Sequence, residues 1–138
     1  MAKETKLAFE IQHEVTEGDV LDILTTAIEG GIGYWCCLDN TDPDWVEARK
    51  QWKEEHNDVP CYCDVAYQVM KNGKAFKLID EEDDTVYEIT LEKFLQGCAK
   101  YTEKTGKDIH NMIEESDFDA DDADMIIQYA AMGEIIYG

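Results

Sequence analysis

Residues 61–90 read CYCDVAYQVMKNGKAFKLIDEEDDTVYEIT, and the folding of this stretch decides the architecture. Cys61, Cys63, Val65, Tyr67 and Val69 alternate, which predicts a strand over Cys61–Met70 with those side chains on one face. Asn72-Gly73 is the strongest short hairpin signal in the chain, because these residue types accept the left-handed backbone of a two-residue turn. Lys74–Asp80 returns as a second strand, with Phe76 and Leu78 in step. Four acids, Glu81, Glu82, Asp83 and Asp84, form the next connection. Thr85–Thr90 is a third strand, with Val86 and Glu88 on one face and Tyr87 and Ile89 on the other. Its alternation does not decide which face is buried. The expectation is an antiparallel meander.

Helical patterns lie on both sides of it. Thr90 is placed to cap a helix to about Thr105, with Leu91, Phe94, Leu95 and Cys98 inward. Gly97 inside that helix costs about 1 kcal/mol relative to Ala, which implies close packing against a neighbour. A short helical stretch follows over Ile109–Glu114. Asp119 or Asp117 then caps a final helix to Met132, whose apolar stripe is Ala123, Ile126, Ile127, Ala130 and Ala131. Gly133 ends it, and Glu134–Tyr137 is a short extended segment.

Upstream, Leu7, Phe9 and Ile11 alternate within Lys6–His13, which predicts a half-buried strand. Thr16, with Asp19 three residues on, starts a helix carrying Val20, Ile23, Leu24, Ala27 and Ile28. Gly30 and Gly31 are expected to close it in left-handed geometry. Gly33–Leu38 reads as a short buried strand or extended turn. Asp42-Pro43 opens a helix to about Glu55, with Trp45, Ala48, Arg49 and Trp52 on one side and Pro60 beyond its end. No repeat, linker or low-complexity stretch divides the sequence. Residues 1–138 are therefore expected to form a single α+β domain, a small antiparallel sheet with flanking helices.

The chain has 138 residues, 32 acidic and 12 basic, for a formal net charge of -20. A hydrophobic content of 44% is enough to build a core despite that charge. No apolar run is long enough to span a bilayer, so no membrane association is expected. The first residues, MAKETKLAFE, lack the apolar core of a signal peptide, and a location in the cytoplasm is expected. Arg49 is the only arginine, too little cationic surface for direct nucleic-acid binding.

Motifs for catalysis are missing: no GxSxG, Walker loop or HExxH occurs, so no catalytic residues are assigned and the chain leans away from an enzyme. Gly30, Gly31 and Gly33 follow a helix, whereas a dinucleotide fingerprint follows a strand. No cofactor is expected. Cys36, Cys37, Cys61, Cys63 and Cys98 are odd in number and read as free thiols of a reducing compartment. A zinc site from Cys61, Cys63, His56 and one of the earlier pair has no CxxC knuckle behind it, and buried structural thiols are the favoured reading. Asp117, Asp119 and Asp121 match positions one, three and five of an EF-hand loop. Asp122 then stands where glycine is needed and Gln128 where glutamate is needed, so an acid-rich helix start is favoured over a metal site.

Two segments carry more than generic pattern: Glu29-Gly30-Gly31-Ile32-Gly33-Tyr34-Trp35-Cys36, and Ala123 to Gly138, ADMIIQYAAMGEIIYG. With the helix that precedes the glycine pair, they resemble a group of small proteins encoded by tailed phages and prophages of Gram-positive bacteria. The resemblance covers the N-terminal third and the C-terminal end, not residues 43–60. It implies a protein acting in the cytoplasm of a bacterial host cell and supplies no catalytic residues.

Three functional readings follow. In the first, the acidic clusters Glu81, Glu82, Asp83, Asp84 and Asp117, Asp119, Asp121, Asp122 bind a host or phage protein with a basic surface. Such a protein would act as a nucleic-acid mimic or defence inhibitor. In the second, Tyr34, Trp35, Gln128 and Tyr137 line an aromatic pocket for a nucleotide-like ligand. Lys74, Lys77, Lys93, Lys100, Lys104 and Lys107 would then have to meet its phosphates. The third is a cysteine-centred enzyme or metal protein. A dimer is the ordinary outcome for a small homo-oligomer, and -20 per chain opposes it.

Overall fold

Residues 61–90 form one helix and two strands rather than three strands. The computed structural model describes Thr5, Leu7, Ala8 and residues 12–138. In chain order the elements are α1 (Glu17–Thr26), one π-helical turn (Ala27–Gly31), β1 (Cys36–Leu38), α2 (Pro43–His56), α3 (Tyr62–Lys71), β2 (Phe76–Asp80), β3 (Val86–Ile89), α4 (Leu91–Thr105), α5 (Ile109–Glu114) and α6 (Ala120–Met132). Of the strand expected over Lys6–His13, Lys6, Phe9, Glu10 and Ile11 lie outside the described residues; Leu7, Ala8, Gln12 and His13 are in no strand, and Leu7 is exposed rather than half-buried.

The expected strand at Cys61–Met70 is helix α3. That segment carries two periods at once. Alternation aligns Val65, Tyr67 and Val69, while helical spacing aligns Val65, Ala66, Val69 and Met70. The helix buries Val65, Ala66, Gln68, Val69 and Met70 together, which no strand could do with alternating faces. The Asp64 carboxylate accepts from the Cys61 backbone N–H at 3.0 Å and secures the helix start. Asn72-Gly73 is accordingly not a hairpin. Gly73, at φ +76°, supplies the left-handed residue just past the helix end. A hairpin turn and a helix C-cap make the same demand on the backbone, so the dipeptide signals either.

The meander consists of β1, β2 and β3 in that order, antiparallel throughout. Cys36 pairs with Asp80, Leu38 with Leu78, Leu78 with Tyr87, and Phe76 with Ile89. Phe76, Leu78, Asp80, Cys36 and Ile89 are buried, so the Tyr87 and Ile89 face of β3 is the inner one. Cys37, Ile79 and Val86 form a cross-strand row on the outer face. Beside it Lys77 pairs with Glu88 and reaches Asp42 at 2.7 Å. Asp42 therefore holds Lys77, and makes no side-chain cap to α2 despite its place before Pro43.

The helices pack in two pairs, α2 with α3 and α4 with α6, and α1 touches both α3 and α6. Thr16 and Asp19 cap α1 reciprocally, Thr90 caps α4, Asp108 caps α5, and Asp119 with Asp122 caps α6. Gly30 and Gly31 do not end α1 in left-handed geometry. The chain passes into the π-helical turn, and a Cβ on Gly31 would stand 2.9 Å from the Ala120 carbonyl oxygen. Close approach to the start of α6 is what Gly31 serves. Leu91 and Leu95, expected inward, are exposed; the inward face of α4 is Phe94, Gly97, Cys98 and Tyr101. Arg49 is also exposed, beside buried Trp45 and Ala48. Among the described residues, no helix is long and apolar enough to cross a membrane.

The tightest helix contact is at Gly97. A Cβ there would lie 2.5 Å from the Ile126 carbonyl oxygen and 2.9 Å from the Ala130 Cβ. Helix propensity alone favours Ala by about 1 kcal/mol, but overpacking a fixed backbone costs about 1–3 kcal/mol. Gly97→Ala is therefore expected to lower the urea midpoint of unfolding. A higher midpoint would mean that α4 and α6 stand farther apart than described.

Candidate functional site

The site is built on α6. Asp124 and Gln128 lie one turn apart on its buried face, with Gln128 fully shielded from solvent. A carboxylate in such a place costs several kcal/mol unless donors surround it. Here three donors do. Trp35 Nε1 donates to Asp124 Oδ1 at 2.9 Å, Gln128 Nε2 donates to the same oxygen at 3.0 Å, and Tyr34 Oη donates to Oδ2 at 2.5 Å. Gln128 then turns to the chain end. Its Oε1 accepts from the Ile136 and Tyr137 N–H groups, both at 2.9 Å, and its Nε2 donates to the Tyr137 carbonyl at 2.9 Å. One amide side chain thus satisfies the backbone of a segment that pairs with no strand.

Tyr137 closes the arrangement. Its ring stacks on Trp35 with centroids 5.4 Å apart, and its hydroxyl donates to Asp80 Oδ2 at 2.6 Å. Tyr87 meets Trp35 edge-on. The four residues expected to share a pocket, Tyr34, Trp35, Gln128 and Tyr137, are therefore brought together. Most of their polar atoms are engaged with each other, with Asp124 and Asp80, and with the chain's own C-terminal segment. What faces solvent is a shallow groove of about 350 Å³ lined by Tyr34, Trp35, Tyr137, Glu81 and Glu82.

Carboxylates dominate its electrostatics. Burial, the hydrogen bond to Asp124 and the nearby Asp121 push the Tyr34 hydroxyl up to about 12. The hydrogen bond to Asp80 raises Tyr137, helped by burial and by Glu82. Acids from two distant clusters, Glu81 and Glu82 on the β2–β3 turn and Asp121 on α6, thus converge on the two tyrosines. Glu81, Glu82, Asp83, Asp84, Asp117 and Asp121 are exposed. Asp119 is exposed as well but, like buried Asp122, is engaged within the chain: each accepts from the other's backbone N–H at 3.1 Å, and Asp122 also accepts from the Tyr101 hydroxyl at 2.7 Å.

Of the six lysines considered for phosphate contact, none lines the groove. Lys77 is engaged with Asp42. The thiols are dispersed. Cys36 lies buried in β1, Cys37 points to the opposite, exposed side, and Cys61 and Cys63 stand at the start of α3. Burial pushes the Cys98 thiol up to about 12 and raises Cys36 and Cys63 as well, the reverse of what a thiolate nucleophile needs. His56 stacks on Trp52. Among the described residues, no three or more His, Cys, Asp or Glu side chains are grouped to hold a metal ion.

A second polar centre joins α1 and α5. His110 Nδ1 lies 2.6 Å from Asp19 Oδ2, and the Thr16 N–H also donates to that oxygen. The hydrogen bond to Asp19 and the charge of Asp19 raise His110 above its ordinary value. Burial pushes Asp19 up, but the Thr16 backbone and His110 outweigh it, and the net shift is down. Nothing in the sequence pattern marked this pair, because Asp19 and His110 are far apart in the chain.

Comparison with protein families, curated proteins and solved structures gives no match in any of the three.

Two outcomes follow from this geometry. Gln128→Ala strips the Ile136 and Tyr137 amides of their acceptor, and should lower stability by about 1–3 kcal/mol in urea unfolding. An unchanged midpoint would mean that the C-terminal segment is not held by this side chain. For His110, stabilisation is full below its unfolded value and disappears as pH rises through the raised folded value. For Asp19 it is present above the unfolded value and disappears as pH falls through the lowered folded value. The melting-temperature gap between the wild type and His110→Ala should therefore be widest between the ordinary values of 3.8 and 6.5. It should narrow on the alkaline side; a gap that widens there would contradict the pairing.

Proposed function

We propose that this protein is a non-enzymatic binding protein that takes a basic segment of another protein on its acidic aromatic face. The observation that carries the reading is the groove of Tyr34, Trp35 and Tyr137, walled by Glu81 and Glu82, with Asp121 close by. The exposed Tyr34 ring and the half-buried Tyr137 ring, beside carboxylates, suit Arg or Lys side chains, through cation–π contact and charge-assisted hydrogen bonds. The ring positions are fixed by the Asp124–Gln128 network, so the face is rigid before it meets a partner.

The resemblance of the two terminal segments to small proteins of phages and prophages supports a setting in an infected bacterial cytoplasm. There, a protein that normally grips nucleic acid presents the right basic surface. Occupying that surface would make this chain a nucleic-acid mimic, with a defence factor as one such target. A nucleotide-like ligand in the same groove is disfavoured by charge, because phosphates would face Glu81 and Glu82 with no lysine in the lining. The raised thiols of Cys36, Cys63 and Cys98 give a cysteine-centred enzyme no support.

Calorimetric titration with an arginine-rich peptide tests the reading. Binding should weaken by at least about tenfold in a Glu81→Lys, Glu82→Lys double variant and should fall steeply with salt. Both glutamates are exposed, so the variant is expected to fold. Equal binding by the double variant would overturn this face as the site. Asp119 and Asp122 are unsuitable for the same experiment, because changing them uncaps α6.

A further inference from the structure

A separate groove of about 760 Å³ runs along the outer side of α4. Its floor is apolar: Val15, Leu95, Cys98, Ala99 and Ile109. A second hollow lined by Leu91, Leu95 and Ala99 continues it along the same helix. At about 3.6 residues per turn, Leu91, Leu95, Ala99 and Thr102 make one stripe about 17 Å long. Leu91 is 36% exposed and Leu95 43%, unusual for two leucines on a well-packed helix.

The rims decide what this groove suits. Glu103, Glu14 and Asp108 line it, and Glu92 lines the continuation. On the helical wheel, Glu92, Gln96 and Glu103 border the stripe on one side, whereas Lys93, Lys100 and Lys104 lie away from it. Glu14 and Asp108 come from other segments. His13 also lines the groove, with Nδ1 3.8 Å from Asp108 Oδ2. Lys107, next in sequence to Asp108, is exposed and is not part of the lining. The result is an apolar trough with carboxylates on both rims.

We infer that this trough is a docking site for a basic amphipathic helix of a partner protein. Apolar side chains of such a helix, one turn apart, match Leu91, Leu95 and Ala99. Its lysines or arginines meet Glu92 and Glu103 on one rim and Glu14 and Asp108 on the other. The site is independent of the Tyr34–Tyr137 groove and shares no residue with it. Charge selects the occupant: an acidic helix would be repelled by both rims, and a second copy of this chain carries -20.

The probe is a designed helical peptide with leucine on one face and lysine on the other, compared with its leucine–glutamate counterpart. Amide resonances of the full-length protein report where it binds. The lysine peptide should shift Val15, Leu91, Leu95 and Ala99, and the glutamate peptide should not. Leu95→Arg should weaken binding by at least about tenfold, because an exposed anchor is replaced by a like charge. Glu103→Gln with Asp108→Asn should weaken it further at low salt, and Asn keeps the cap on α5. Shifts confined to Glu81, Glu82 and Tyr34, unaffected by Leu95→Arg, would overturn this site and leave the first face intact. Equal binding of both peptides would overturn it too. A concentration-dependent dimer that Leu95→Arg abolishes would assign the trough to a second copy. Binding that emerges only after Leu7, Phe9 and Ile11 are changed to Ser would assign it to the chain's own N-terminal segment.

Discussion

Asp124 and Gln128, one turn apart on α6, tie together four parts of the molecule that are distant in sequence. Through Asp124 the helix holds the Tyr34–Trp35 turn. Through Gln128 it holds Ile136 and Tyr137. Through Tyr137 the chain end reaches Asp80 at the end of β2. A buried carboxylate is tolerated only because three donors converge on it, and two of them, Tyr34 and Trp35, line the groove. Stability and the shape of the exposed face therefore depend on the same hydrogen bonds.

The acidic excess divides accordingly into two populations. Asp19, Asp80, Asp122 and Asp124 act inside, as caps and acceptors. They consume charge rather than display it. Glu81, Glu82, Asp117 and Asp121 face solvent. Around α4 the acids Glu92 and Glu103 lie next to apolar surface, while the lysines of that helix lie elsewhere. The net charge of -20 is thus not an even shell. It is arranged beside aromatic or apolar surface in two places, which is how a protein selects basic partners by contact as well as by field.

Much of the fold was legible in the sequence because caps and periods agreed. Thr16 and Asp19, Thr90, Asp119 and Gly133 each mark a boundary that the structure keeps. Gly97 announced its close helix contact. The failure at Cys61–Met70 came from a segment that satisfies both periods, where burial of Ala66 and Met70 decided for the helix. Gly30 and Gly31 misled because glycine serves close approach as readily as left-handed backbone. The site was half legible. The aromatic quartet stood out by composition, but Asp124, its central acceptor, was hidden among neighbouring acids that do different work. The Asp19–His110 pair and the trough along α4 depend on tertiary contacts that no local pattern records. Leu91 and Leu95 look like core residues in the sequence, and only the orientation of α4 shows them outside.

Amide hydrogen exchange at Ile136 and Tyr137 tests the central claim most directly. Both N–H groups lie in a segment without regular structure, where fast exchange is the ordinary behaviour. If Gln128 holds them as described, both should be protected in the wild type to the same degree as the amides of α6. They should lose that protection together in Gln128→Ala while α4 remains protected. Exchange of Ile136 and Tyr137 at the rate of an unstructured peptide in the wild type would contradict the account. The Tyr34–Tyr137 groove would then have no fixed wall to offer a partner.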